Sequence, residues 1–259
     1  MIPQPPGQPE GKGGLCEESV QSTPETPAST SELTELLTRV EELDSELEQF
    51  LTDSPVGPVV KHPLVFSIPH VPHFNALANA RLREKQKACA HALETHNWSR
   101  FIYLHERPYR PHAFAAISTE LTDESYWEHL SSIWTDAENI VQDHTLWTSL
   151  LKEPGRLSTR HLMMNDEERK RLDQLPDEVT VYRGVNHGAH DHGMSWTADP
   201  AVAHRFALRF GGHGQPQVLT GRVRKSDIIA YLHGRNEDEI LLDPEAVTGI
   251  VASTTNPAG

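Results

Sequence analysis

Three short stretches in the last third of the chain carry the residues best suited to chemistry. One is Asn236-Glu237-Asp238-Glu239-Ile240-Leu241-Leu242, where two carboxylates two residues apart run straight into an apolar segment. On a strand, residues i and i+2 point to one face, roughly 6.6 Å apart. Glu237 and Glu239 are therefore expected to look into one cleft, while Ile240 and Leu242 look the other way, into a core. Each charge raises the pKa of the other. Such a pair is kept where the face is merely solvated, or where it does acid–base work. A second stretch is Val181-Tyr182-Arg183-Gly184. Alternation puts Arg183 on the face of Val179 and Val181, at the end of an apolar strand. A guanidinium there needs a partner, and its planar fork matches a phosphate or a carboxylate. Gly184 lets a ligand approach the backbone closely. The third stretch, Ser195-Trp196-Thr197, closes a short strand ahead of a helix. Ser195 and Thr197 share a face, and their hydroxyls can bond a ligand or fix a nearby carboxylate. Taken singly, a structural ion pair explains Arg183 better, and an ordinary strand end explains Ser195 and Thr197.

These stretches belong to a segment that changes character at Pro176. Short β-type runs alternate with turn residues: 179–183, 193–196, 218–224, 228–232, 237–242 and 247–253. One helix interrupts them, with Asp199 as N-cap, Pro200 first, Ala203, Phe206, Ala207 and Phe210 as its apolar stripe, and Gly211 as its stop. Several strands with one crossing helix predict an α+β fold with a largely antiparallel, split sheet. Residues 58–175 read differently. An extended run over 58–68 gives way to a helix from Pro72 to about His96 and then to mostly helical patterns. Asp123 and Asp136 are expected N-caps. Trp127, Leu130, Ile133 and Trp134 form one stripe; Ile140, Val141, His144, Trp147 and Leu151 form another. Aromatics at helical spacing are core residues in the first instance, so no chemistry is assigned to them.

Residues 1–30 are rich in Pro, Gly, Ser, Thr, Gln and Glu and almost empty of large apolar side chains, so they are expected to be disordered. Over 31–57 an amphipathic, coiled-coil-like helix and a linker are expected, with Ser29 and Glu32 as a capping box, Leu33, Leu36, Val40, Leu43, Leu47 and Phe50 at coiled-coil spacing, and Pro55, Gly57 and Pro58 as the stop. It either docks on its own domain or mediates self-association through 31–51. The 259-residue chain has a formal charge of -14. Twelve acids against Lys12 and Arg39 concentrate most of that charge between Glu10 and Asp53. Such acidity argues against a sequence-independent grip on nucleic acid. Cys16 and Cys89 form no framework and are expected as reduced thiols. No apolar run approaches membrane-spanning length and no signal-peptide pattern opens the chain, so the expectation is a cytoplasmic protein without membrane contact.

An arginine on a first strand, a Ser-x-Ser/Thr ending a second strand ahead of a helix, and a Glu-x-Glu on a later strand together resemble the arginine–serine–glutamate signature of mono-ADP-ribosyltransferases. The run from Tyr182 to Pro244 also looks like proteins of actinobacterial phages and their hosts. The resemblance covers roughly 175–253, making 176–259 the β-rich catalytic core. It implies an ADP-ribosyltransferase-like split sheet behind a helical N-terminal part, with NAD as substrate. By this resemblance Arg183 holds the phosphates of NAD, with Gly184 near the nicotinamide. Ser195 and Thr197 order the nicotinamide ribose and the glutamates. Glu239 is the catalytic acid that bonds the ribose 2′-hydroxyl, and Glu237 orients and deprotonates the acceptor. A glutamate at that first position goes with arginine acceptors, so the implied partner is a host protein in a bacterial or phage-infected cell. Trp196 departs from the usual small hydroxyl residue, and the short 233–236 loop departs from the usual acceptor-recognition loop.

The residues agree with that chemistry. Cleavage of the nicotinamide–ribose bond passes through an oxocarbenium-like state, as glycoside cleavage does. A carboxylate at the 2′-hydroxyl stabilises that state more than the ground state. An arginine acceptor must lose a proton as it attacks, which gives a second carboxylate a task. Three other readings stand beside this one. His187, His190, Asp191 and His192 cluster in one loop as a metal alternative, though at no standard zinc spacing. The acceptor is otherwise a nucleic-acid base. Or the fold serves as a catalytically inactive interaction module.

Overall fold

In the computed structural model, which describes residues 30–138, 140–186, 193–209, 215–233 and 237–255, helices dominate up to Gln174 and strands after it. The chain runs α1 (Thr30–Thr38), α2 (Ser45–Glu48), β1 (Leu51–Thr52), β2 (Val59–Lys61), β3 (Phe66–Pro69), α3 (Pro72–Glu94), α4 (Trp98–Leu104), α5 (Arg110–Ile117), α6 (Asp123–Asp136), α7 (His144–Leu151) and α8 (Asp166–Gln174). It continues as β4 (Glu178–Asn186), β5 (Ser195–Thr197), α9 (Pro200–Arg209), β6 (Pro216–Arg224), β7 (Ile228–Leu232), β8 (Glu239–Leu242) and β9 (Thr248–Thr254). The fold is α+β, as the residue pattern predicts. No helix among the described residues is long and apolar enough to cross a membrane.

The heptad-like run from Leu33 to Phe50 does not form one helix. α1 stops at Thr38, residues 39–44 are non-helical, and the chain turns helical again only for Ser45–Glu48. The cause is tertiary. Asn79, buried on α3, accepts from the Asp44 amide at 2.9 Å and donates to the Glu42 carbonyl at 2.9 Å and the Glu41 carboxylate at 3.0 Å. Asn75, one turn earlier, donates to the Glu41 carbonyl at 3.0 Å. A continuous helix would withdraw those backbone groups into its own ladder and leave two buried amides unsatisfied. Leu43 and Leu47 are spent in the chain's own core, while Leu37 and Val40 stay exposed.

Cap positions shift as well. Thr122, not Asp123, caps α6 by accepting from the Ser125 amide. Asp136 is the last residue of that helix rather than a cap, and it pairs with Arg107 and Arg110. An acid at a helix C-terminus opposes the helix dipole, and two guanidinium groups offset this. The expected α6 stripe is the core: Trp127, Leu130, Ile133 and Trp134 are all buried. Trp134 meets Trp147 of α7 edge-on, with ring centroids 5.1 Å apart. Cys89 is a free, buried thiol, and burial raises its pKa.

The small sheet is antiparallel in the order β1-β2-β3. The large one is antiparallel throughout, in the order β7-β8-β5-β4-β6-β9. Its pairing is continuous, yet β4 and β5 register through a single pair, Tyr182 with Thr197, whereas β4 and β6 register over nine. The expected split is therefore a narrow seam between β4 and β5. On one face Val179, Val181 and Val185 of β4 join the apolar cluster that also holds Trp134 and Trp147. On the other, Tyr182 packs with Ala203 and Ala207 of α9 and Val218. The helices and the sheet thus share one interior, across the boundary near Pro176.

Replacing Asn79 by Ala should destabilise the protein by about 1–3 kcal/mol, because it strands buried backbone groups. Urea unfolding together with amide exchange over residues 41–48 measures this. Unchanged exchange there would show that the segment holds itself without α3.

Candidate functional site

Sheet order does what chain order cannot. β4, β5 and β8, the first, second and fifth strands of the large sheet, lie side by side, with β5 in the middle. Thr197 is registered opposite Tyr182 on one side and opposite Glu239 on the other. The arginine, hydroxyl and glutamate stretches therefore meet on three neighbouring strands, whose outer members are about 10 Å apart.

Arg183 sits beside the seam. Its Nη1 donates to the Ser195 carbonyl at 2.5 Å. The guanidinium lies against Gly193, where a Cβ would come within 2.2 Å of Cζ. Trp196 is buried, and its indole donates to the Gly193 carbonyl at 2.9 Å. Residues 193–196 are thus gripped by the guanidinium and by the indole. The bulky Trp196 in the middle of the hydroxyl stretch has a role of its own, which a small hydroxyl residue could not fill. The sequence pattern makes Gly193 the start of a β-type run but gives it no contact with Arg183; a glycine two residues ahead of Ser195 is the available signal.

Gly184 has a different reason from the one expected. A Cβ there would meet the Ala203 carbonyl oxygen at 2.0 Å and the Ala207 amide nitrogen at 2.4 Å. What approaches the chain closely on that side is helix α9, so the glycine serves packing. Asp199 begins that helix as predicted, accepting from the Ala201 amide at 2.7 Å.

The hydroxyl pair divides. Thr197 Oγ1 donates to the Glu237 carbonyl at 2.9 Å and accepts from the Asp199 amide at 3.1 Å. It fixes the backbone of Glu237, not a carboxylate. Ser195 Oγ makes no hydrogen bond among the described residues and is half-buried.

The two glutamates are not a same-face strand pair. β8 begins at Glu239, and Asp238 before it is left-handed, with φ of 45°. Strand alternation therefore stops at Glu239 and does not place Glu237. Glu239 accepts from the indole Nε1 of Trp134 at 3.1 Å. That indole comes from α6, in the helical half, and is 2% exposed. Trp134 is core, as its helical spacing predicts, and its N–H end also serves Glu239, which spacing alone does not show. Glu237 is half-buried, and its carboxylate makes no hydrogen bond or ion pair among the described residues.

Asp238, between the two glutamates, is anchored by three donors. Its Oδ1 accepts from the Tyr231 hydroxyl at 2.5 Å, from His233 Nδ1 at 2.8 Å and from Arg171 at 3.3 Å. The Tyr231 hydrogen bond, then those of His233 and the charges of His233 and Arg171, hold the carboxyl below the usual range in spite of partial burial. Burial and this carboxylate push Tyr231 up to about 12.

Among the described residues no group of three or more His, Cys, Asp or Glu side chains could hold a metal ion. The 187–192 stretch, with its alternative metal ligands His187, His190, Asp191 and His192, lies outside the described residues. So do 1–29, 210–214 with Phe210 of the expected stripe and the expected stop at Gly211, and 234–236. No family model, no curated protein and no solved structure matches this chain.

Two measurements check this geometry. Gly184→Ala should cost about 3 kcal/mol or more, since helix backbone cannot yield as a side-chain tip does. An unchanged unfolding midpoint would contradict the packing of α9 on β4. Asp238→Asn should lower stability at neutral pH. A depressed carboxylate stabilises the fold above its ordinary pKa of 3.8, and that contribution is lost as pH falls through the lower folded value. The gap to wild type should therefore close below that range; a pH-independent gap would show that the charge is not what matters.

Proposed function

We propose that the chain transfers ADP-ribose from NAD to an arginine side chain of a protein, releasing nicotinamide. One observation carries the reading: three stretches with the residue types of the arginine–serine–glutamate signature lie on three adjacent strands, with the hydroxyl stretch in the middle. Separations along the chain gave no reason for that adjacency.

In this reading Arg183 neutralises the pyrophosphate of NAD, and its packing on Gly193 keeps the planar fork oriented. Ser195 Oγ bonds the nicotinamide-ribose region. Glu239 accepts a hydrogen bond from the ribose 2′-hydroxyl, which gains acidity as positive charge grows on the sugar; the interaction is stronger in the transition state than before it. The Trp134 indole holds that carboxylate in place. Nicotinamide leaves as a neutral molecule from a cation and needs no acid. Glu237 takes the proton that the arginine acceptor loses as its nitrogen attacks the anomeric carbon. Its carboxylate, without a partner among the described residues, suits an acceptor-side role.

The experiment combines labelled NAD, host lysate and two variants. Glu239→Gln should reduce transfer by a factor on the order of 10²–10³ with the fold intact. Glu237→Gln should reduce transfer to arginine by about 10² while sparing NAD hydrolysis. Equal loss of both activities in Glu237→Gln contradicts the division of labour. No nicotinamide release by the wild type, with or without lysate, removes the enzyme reading. Label on nucleic acid instead of protein keeps the reaction and changes the acceptor.

A further inference from the structure

The residue between the two glutamates takes no part in the chemistry above, yet three donors anchor its side chain. Three donors from two elements and a strand end converge on one oxygen of Asp238. Tyr231 belongs to β7, His233 follows that strand by one residue, and Arg171 lies on α8. α8 holds the same corner a second time, because Glu168 Oε1 accepts from the His233 amide at 2.8 Å. Glu168 is buried and also closes the capping box of α8 with Asn165. Arg171 is itself braced by Glu167, one turn earlier, at 3.0 Å.

The backbone at Asp238 is as specific as its side chain. A left-handed conformation costs most residues roughly 1 kcal/mol or more, and Asp and Asn tolerate it best after Gly. The last rung of the β7–β8 ladder pairs Leu232 with Glu239. Directly before that rung the left-handed residue turns the chain out of the strand. Glu239 therefore stays in the sheet under the Trp134 indole, while Glu237 leaves it, held by the Thr197 hydroxyl. The angle between the two carboxylates is set at Asp238.

We infer that Asp238 is a positioning residue, whose left-handed backbone and threefold anchorage to Tyr231, His233 and Arg171 fix the direction of Glu237 relative to Glu239. This rests on the ADP-ribosyl transfer reading for its functional consequence, though not for its structural one. If Glu237 serves the acceptor and Glu239 serves NAD, loosening Asp238 separates the two half-tasks. Of the two glutamates, NAD cleavage needs only Glu239, which the sheet and Trp134 keep in place. Transfer needs Glu237 at a set distance and angle, and misplacement by about 1 Å costs up to roughly 10²-fold.

Three substitutions separate backbone from side chain. Asp238→Gly keeps the left-handed backbone and deletes the anchor. Asp238→Asn keeps the backbone preference and an acceptor oxygen for Tyr231 and His233. Asp238→Ala loses both. Each is assayed in the full chain for transfer to an arginine acceptor, for NAD hydrolysis, and for amide exchange of the described residues 231–233 and 237–239. For Gly, transfer kcat should fall about 10-fold to 100-fold, with KM for NAD and hydrolysis within about twofold of wild type. Ala should fall further, and Asn should restore most of the transfer. Exchange should quicken most in Gly and Ala and least in Asn. Parallel loss of transfer and hydrolysis, or wild-type transfer in Gly, overturns the inference. Should the wild type cleave no NAD at all, the functional reading fails by itself. The exchange data then still decide the structural claim, and unchanged exchange in Gly and Ala overturns it.

Discussion

The grip of one guanidinium on the chain entering β5 decides the geometry of the whole C-terminal half. β4 and β5 share a single registered pair, too little to fix the angle between two strands. Arg183 takes over directly beyond it, lying on Gly193 and donating to the Ser195 carbonyl, while Trp196 holds Gly193 through its indole. A planar, permanently charged fork suits this task, because it can stack on a flat peptide and bond in its own plane at once. With β5 held against β4 on one side and paired with β8 over three residues on the other, the hydroxyl stretch comes to lie between the strands that carry Arg183 and Glu239. The same side chain that the functional reading assigns to phosphate is thus part of the frame that shapes the site.

The helical half is a structural partner of that frame and not an appendage. Its aromatic stripe shares one apolar cluster with β4, β5 and β8. Two of its helices also send polar groups to the glutamate stretch: α6 supplies the Trp134 indole, and α8 supplies Arg171 and Glu168. Each is a directional contact from an element that is itself packed. Positions set in this way survive thermal motion better than positions set by a loop alone. The two glutamates differ accordingly. Glu239 is tied to strand and core, and Glu237 to a hydroxyl and a turn.

How far the sequence could be read follows from where the physics is local. Alternation and turn residues found all six strands of the large sheet, to within a few residues at each end, and Asp199-Pro200 marked α9 correctly. These signals depend on neighbours along the chain. The long N-terminal helix failed because Asn75 and Asn79, more than thirty residues away, capture its middle backbone. Glu237 failed as a strand residue because Tyr231, His233 and Arg171 make a left-handed Asp238 worth its cost, and nothing within the stretch announces them. Gly184 was read as room for a ligand, whereas the neighbour is α9. The three-strand adjacency could not be read from residue pattern, since strand order is a property of the folded sheet. Residue type and spacing name its members one by one, and only the family resemblance groups them.

The central claim is that Arg183, Ser195 and Glu239 form one NAD site. A crystal structure of the Glu239→Gln variant soaked with NAD tests it most directly. The account predicts the pyrophosphate within hydrogen-bond distance of the Arg183 guanidinium and the nicotinamide ribose 2′-hydroxyl beside residue 239, with Ser195 between them. Clear density for NAD elsewhere on the protein, or a well-ordered site that stays empty at saturating NAD, would contradict it.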